Sequence, residues 1–342
     1  MSLRDRILRE AFDAGWSALL LARLTVARTV AHAEQWRRAI RSVTQGTTPI
    51  GPRVVLFCHW DGRGRIQEHT RRYAEALRAE GLSLVLTSNA GQLAPEDANW
   101  ANSVFATIIL RRNVGYDFGA WRDALSACNL PRPETQQIIL VNDSVYGPFR
   151  PLGQVLRRIE AAPEPVCGLT DSWQRRYHLQ SYFLSFRPEA FRSRAWSTFW
   201  TRVLPSRSKE HVVASYEIGL TQAMLREGIA CAALWPYVDL IDQVRQDCGA
   251  RRLFDDVDDV RATADQYILD AAKKRQAMNP TANLWEKLLD NGFPFLKREL
   301  LRSNPSRVSD VARWRSAVRA IAPEEEDVVR RDLRLTMRKR TP

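Results

Sequence analysis

Residues 138–148, IILVNDSVYGP, constrain the fold more than any other part of the chain. Ile138, Ile139, Leu140 and Val141 form a run that suits a strand buried on both faces, as in a parallel sheet covered by helices on each side. The run stops at Asn142-Asp143-Ser144, and a Gly-Pro turn follows. In an open α/β sheet the carboxyl ends of the strands face the ligand crevice, so these residues would place an amide, a carboxylate and a hydroxyl there. Such a set suits a ribose, a sugar hydroxyl or a divalent cation carrying a diphosphate. An Asx-turn that only closes the strand uses the same residue types.

The segments before it supply the rest of such a sheet. Residues 53–58, RVVLFC, read as a strand opening into His59-Trp60-Asp61-Gly62-Arg63-Gly64. A helix over 66–80 and a strand over 82–87, closing at Ser88-Asn89, complete a right-handed parallel unit. No GxGxxG fingerprint accompanies it. A third strand over 104–110 runs into RRNVGYDFGAW (111–121), where Gly115 and Gly119 let backbone amides approach a ligand at a helix N-terminus beside Arg111 and Arg112. This is either a diphosphate-binding loop or an ordinary strand-to-helix turn with solvated arginines.

Further strands are expected at 166–170, 179–186 (LQSYFLSF) and 229–234, with helices at 154–159 and 191–203. The run SYEIGLT (215–221) leads into a helix ending at Gly228. Glu217 sits at that loop-to-helix junction, as a dipole-stabilised carboxylate or as a positioned general base. Trp60, Trp121 and Trp173 are each either core residues or stacking surfaces for a base or sugar.

The ends differ in character from this centre. Residues 1–48 read as a helical segment, with Ile7, Leu8, Ala11, Phe12, Leu19 and Leu20 at helical spacing among arginines, and with Trp16 and Trp36 as amphipathic rings. It would lie on a membrane surface, or pack on the core or on a second subunit. Residues 52–245 form the α/β core. Residues 246–342 read as a helical C-terminal extension that includes the acidic Asp255, Asp256, Asp258 and Asp259, the run NPTANLWEKLLDNGFPFLKRELLRSNP (279–305) and a tail ending in MRKRTP.

Lysine and arginine outnumber aspartate and glutamate by 51 to 39, which points to an anionic partner: a nucleoside diphosphate, a lipid headgroup or nucleic acid. The five cysteines are scattered without a CxxC pair, against a zinc site or disulfide framework and in keeping with a reducing cytoplasm. No apolar run approaches the roughly 20 residues of a spanning helix, and no clean signal peptide is present.

Taken together, RRNVGYDFGAW, VNDSVYGPF, LQSYFLSF, YEIGLT and the run at 279–305 resemble the rhamnan synthesis protein F family, bacterial glycosyltransferases of cell-surface polysaccharide assembly. The resemblance covers roughly residues 53–305. It implies an α/β fold, a GT-A-like Rossmann-type mixed sheet flanked by helices, with an N-terminal amphipathic helix and a C-terminal helical extension. Carried over residue by residue, it puts His59, Asp61, Ser88 and Asn89 at the donor nucleotide, with the last three at base and ribose. Arg112, Asn113, Gly115 and Asp117 fall at the ribose-diphosphate region. Asn142, Asp143 and Ser144 stand where GT-A enzymes carry a DxD metal motif, reduced here to one carboxylate. Asp143 is then the candidate ligand for Mg²⁺ or Mn²⁺, and arginines are the alternative means of neutralising the leaving group.

Glu217 stands where inverting enzymes of this fold place the general base, so the catalytic pair is Glu217 and Asp143. The resemblance implies an inverting hexosyltransferase moving a deoxyhexose, L-rhamnose from dTDP-L-rhamnose, to a growing lipid-linked glycan such as O-antigen. That places it in the cytoplasm, peripheral on the anionic inner face of the bacterial inner membrane. The alternative is an inactive nucleotide-sugar- or glycan-binding scaffold of a polysaccharide assembly complex. A nucleic-acid partner is not expected, because no nucleic-acid fingerprint accompanies the charge.

Overall fold

A computed structural model describes residues 3–251 and 260–337. Its strands are β1 (Ile40–Gln45), β2 (Arg53–His59), β3 (Ser83–Ser88), β4 (Thr107–Arg111), β5 (Gln137–Asn142), β6 (Val145–Tyr146), β7 (Val166–Ser172), β8 (His178–Leu179), β9 (Phe183–Phe186), β10 (Cys231–Trp235) and β11 (Leu296–Lys297). One sheet runs β1-β4-β3-β2-β5-β9-β7-β10, with β8 paired to the end of β7. Strands β4, β3, β2 and β5 are mutually parallel, and β9 is antiparallel to both of its neighbours, β5 and β7. The expected mixed α/β sheet flanked by helices is what the chain forms.

The pattern of side chains explains the layering. On β2, β3 and β5, Val55, Phe57, Leu84, Leu86, Ile139 and Val141 face one core with Tyr73, Leu77 and Phe105. Their alternates Val54, Leu56, Val85, Ile138 and Leu140 face the other, with Phe118, Trp121, Trp196 and Trp200. Both faces are covered, so the strands carry unbroken apolar runs instead of an alternation. The chain leaves β2 for β3 on one side and later returns as β5 on the other. The carboxyl ends of β2 and β5 therefore frame the switch point at which open α/β sheets hold ligands.

Four local expectations are corrected. Residues 40–45 are not helical: IRSVTQ is rich in β-branched residues, and β1 pairs antiparallel with the otherwise open edge of β4. The third strand begins at Thr107, because Pro95 opens a helix that holds Val104 as its last residue. The strand read at 179–186 is two, β8 and β9, interrupted at Gln180-Ser181-Tyr182. Glu217 is not at a loop-to-helix junction but ends a π-helical turn, Val213–Glu217, between the helices Lys209–Val212 and Ile218–Arg226.

Helix Leu3–Glu34 precedes the sheet, and helices Trp314–Ile321 and Pro323–Met337 follow it. The second of these buries Val328 and Val329, so the described part of the tail is packed against the rest of the chain. Asp255, Asp256, Asp258, Asp259 and residues 338–342 lie outside the described residues. Strand β11 pairs with β6, Leu296 opposite Tyr146 and Lys297 opposite Val145, and the ladder packs in an apolar cluster with Trp285, Leu289 and Val329.

Candidate active site

The turn after β5 is organised from within. Asn142 Oδ1 accepts the Ser144 amide at 3.1 Å, the Asx-turn expected of this tripeptide, while Asn142 Nδ2 donates to Asp117 Oδ2 at 2.8 Å. The turn thus aims Asp143 outward, towards β2. Asp143 Oδ2 accepts the Trp60 amide at 3.3 Å, and the Asp143 carbonyl accepts Arg298 Nη1 at 2.7 Å. Arg298 also approaches the Asp143 carboxylate at 3.5 Å, and Lys297 donates to Ser144 Oγ at 3.0 Å. Trp60, Asp61, Asp143, Ser144, Lys297 and Arg298 line one cleft of about 440 Å³, with Glu299, Arg302, Ser303 and Thr336 completing the lining.

The two cations come from the end of β11. Because β11 pairs with β6, which follows the Asn-Asp-Ser turn directly, the ladder sets Lys297 and Arg298 against the carboxyl end of β5. Burial pushes the Lys297 ammonium below its ordinary value, against the pull of Glu217, Asp117 and Glu299. Burial also works against the Arg298 charge, but Asp143 and Asp332 hold the guanidinium above its usual value. Asp332, on the last described helix, reaches Arg298 at 3.6 Å and accepts the Tyr146 hydroxyl at 2.6 Å.

Glu217 lies on the β9 side. Its Oε1 accepts both the amide and the hydroxyl of Ser181, at 3.0 and 2.9 Å, where the chain is interrupted between β8 and β9. Lys297, bonded to Ser144, sets its Nζ over the Tyr182 ring at 4.4 Å from the centroid, where Glu217 favours its charge. Along the carboxyl edge the order is therefore Trp60 and Asp61, then Asp143 and Ser144, then Lys297, then Glu217.

The other nominated residues are placed variously. Asp61 lines the cleft, but its Oδ1 accepts the amides of Arg63 and Arg65 at 2.7 and 3.2 Å. Against partial burial, these amides and the Gln67 side chain draw the Asp61 pKa down. His59, Ser88 and Asn89 are buried. His59 Nδ1 and Ser88 Oγ are 3.0 Å apart, and Asn89 Oδ1 accepts Arg111 Nη1, so all three brace the strand ends.

Asp117 lies in the first turn of helix Tyr116–Ala127, capped by Gly115 at φ 80°. Burial raises its pKa, as does the nearby Asp143, against hydrogen bonds from Cys58 and Asn142. Arg112 is turned away: it donates to Glu34 at 2.7 Å and to the carbonyls of Arg37 and Arg38, both at 3.0 Å. Asn113 is exposed. Trp121 is fully buried, whereas Trp60 and Trp173 are 50% and 49% exposed.

A cation site built by the protein does not fit this arrangement. Among the described residues no three His, Cys, Asp or Glu side chains converge, and Asp143 already has a guanidinium beside it. The set suits an anion instead. Lys297, Arg298 and Ser181 were not singled out from the sequence. The readable signal was GFPFLKRE, where Pro294 forbids a helix and Phe293, Phe295 and Leu296 mark an extended buried segment that ends in two cations.

Among known proteins, the virulence protein VirA of Vibrio anguillarum is 29% identical over 259 residues, 74% of this chain and 81% of its own. An uncharacterized protein y4gN of Sinorhizobium fredii is 26% identical over 204 residues, 58% of this chain; the match spans about half the relative's length, 53%. A solved mannosyltransferase, PcManGT from Pyrobaculum calidifontis in complex with GDP-Man and Mn²⁺, aligns over 95% of this chain and 98% of its own at 11% identity, TM-score 0.35. Residues 84–246, which hold the Arg-Asn-x-Gly loop, the Asn-Asp-Ser turn and Glu217, match the model of the family RgpF, rhamnan synthesis protein F, the family that the sequence motifs resemble.

Proposed function

We propose that the protein is a glycosyltransferase of polysaccharide synthesis, moving a deoxyhexose, L-rhamnose from dTDP-L-rhamnose, to a lipid-linked glycan with inversion. The carrying observation is the pair Lys297 and Arg298, held by the β6–β11 ladder against Asp143 and Ser144 in a cleft at the switch point of the sheet. The RgpF match supports the polysaccharide context.

In this reading the cleft takes the diphosphate. The acceptor hydroxyl attacks the anomeric carbon in line, the bond from that carbon to the diphosphate oxygen breaks, and Glu217 takes the hydroxyl proton on the carboxylate oxygen that Ser181 leaves open. Lys297 and Arg298 stabilise the charge that develops on the departing diphosphate. A divalent cation arriving with the diphosphate would find Asp143 as its protein carboxylate, and no step here depends on it.

The same reading puts the enzyme at an anionic membrane surface on the cytoplasmic side. No helix among the described residues is long and apolar enough to cross a membrane. Helix Leu3–Glu34 instead leaves Leu19, Leu21, Val26 and Val30 at least half exposed, and Trp36 just beyond it is 85% exposed, with Arg23, Arg28, Arg37 and Arg38 around them.

The test is a thermal-stability titration with a panel of nucleoside diphosphate sugars, since a ligand that binds only the folded state raises the midpoint. A shift selective for dTDP-L-rhamnose is expected. Glu217→Gln should keep that shift and lose about 10²–10⁴-fold in turnover. Unchanged turnover in Glu217→Gln removes the assigned base, and a shift without any transfer by the wild type leaves a donor-binding scaffold.

A further inference from the structure

We infer that the loop after β7 carries an acceptor-glycan subsite, with Trp173 as its stacking surface and Tyr177 as the ring that fixes it. The inference rests on the glycosyltransferase reading for its direction.

Strands β5 and β7 are parallel to one another, each pairing antiparallel with β9, so their carboxyl ends lie on the same edge of the sheet. Leu140 and Gly168 both face Leu184, which puts Asp171 level with Asp143 and lifts Trp173 two residues, roughly 7 Å, above it. Laterally β7 is two strand spacings from β5, roughly 10 Å. Glu217, bonded to Ser181 just before β9, falls between them. The phosphate cleft, the candidate base and the aromatic loop thus follow one another along one edge, with the loop on the far side of the base from the cleft.

The loop is anchored at Tyr177 and open to solvent. Trp173 packs edge-on to Tyr177, with ring centroids 5.1 Å apart, two residues beyond the buried Asp171. Tyr177 is held in turn: its hydroxyl donates to the Cys231 carbonyl at 3.3 Å, and its own carbonyl accepts Gln222 Nε2 at 2.8 Å. About half of Trp173 remains in solvent, and Gln174, Arg175 and Arg176 beside it are exposed. A fixed indole face rimmed by hydrogen-bond donors matches a pyranose, which offers an apolar C–H face and a ring of hydroxyls. Because the ring is already held, little freedom is lost on binding. Trp60 is equally exposed but lines the phosphate cleft, so the two tryptophans serve opposite ends of the reaction.

The test compares wild type, Trp173→Ala and Trp173→Phe in two assays: thermal titration with nucleoside diphosphates, and retention on an array of immobilised bacterial polysaccharide fragments. All three should give the same nucleotide shift. Trp173→Ala should lose roughly tenfold or more in glycan retention, and Trp173→Phe, which keeps an aromatic face, should keep most of it. Equal retention by wild type and Trp173→Ala overturns the subsite, as does a wild type that shows the nucleotide shift but retains no glycan. A wild type with no nucleotide shift strikes the transferase reading instead, and retention that depends on Trp173 would then still support a glycan surface.

Discussion

Two of the chain's dibasic pairs, Arg111-Arg112 and Lys297-Arg298, meet opposite fates. Arg111-Arg112 sits beside the glycine loop that reads as a diphosphate site, yet neither residue faces the cleft. Arg111 is fully buried, paired with Asp123 at 2.9 Å and bonded to Asn89, and Arg112 grips the end of the N-terminal helix. Lys297-Arg298 lies in a segment that reads as part of a helical extension, and both side chains reach the cleft. Neighbouring residues on a strand point to opposite faces, so a dibasic pair at a strand end cannot send both charges to one ligand unless the chain turns there. Arg111 ends β4 with its side chain inside the sheet layers, whereas Lys297 ends β11 and Arg298 opens a helix immediately afterwards.

Removing each cation should sort the pairs by kind of damage. Arg111→Ala leaves Asp123 to Arg122 alone and strips the buried Asn89 Oδ1 of its donor, and should cost about 1–3 kcal/mol in urea unfolding; a near-neutral result would show that Arg111 is not structural. Arg298→Ala should lower kcat/KM by about 10²–10³-fold, roughly 3–4 kcal/mol of transition-state stabilisation, and weaken the nucleotide-induced thermal shift. Arg112→Ala should leave both intact. Its effect should be about 1 kcal/mol or less, seen as faster proteolysis near Glu34. If Arg112→Ala abolishes the nucleotide shift while Arg298→Ala spares it, the contrast is reversed.

Lys297→Met sharpens the distinction by separating function from stability. Because the folded state holds the Lys297 pKa below its unfolded value, the unfolded chain binds more protons between the two, and stability rises with pH across that window. At neutral pH the buried charge therefore weakens the fold. Lys297→Met should lose donor binding yet melt no lower than wild type, with any gain shrinking as pH approaches about 10.4. A variant that melts lower at neutral pH and recovers at high pH would invert the sign.

What could be read from the sequence follows from the range of the forces involved. The apolar runs of β2, β3 and β5 and the turn at Asn142 are local, so strand, edge and Asx-turn were all legible before any contact was known. The direction of Arg112 was not, because its partner Glu34 is 78 residues away on a helix with no pattern tying it to β4. Lys297 lies 153 residues from Ser144, joined through a ladder of two residues per strand that leaves no periodic trace. Glu217 was misplaced by element, at a loop-to-helix junction and not in a π-helical turn, since such a turn inserts one residue without altering composition. The strand expected at 179–186 failed because Gln180, Ser181 and Tyr182 carry strand-like residues but serve side-chain contacts of Thr170 and Glu217.

The β6–β11 ladder also sets a schedule. A ribosome that has released the parallel strands has made the wall of the cleft that β2 and β5 supply, while the cationic wall emerges some 150 residues later. Until then the nascent sheet presents Asp143 without Lys297 or Arg298, a surface that repels polyphosphates. Affinity for an abundant cellular anion would thus be withheld during the slow, non-local stage of folding and acquired only when the late segment docks.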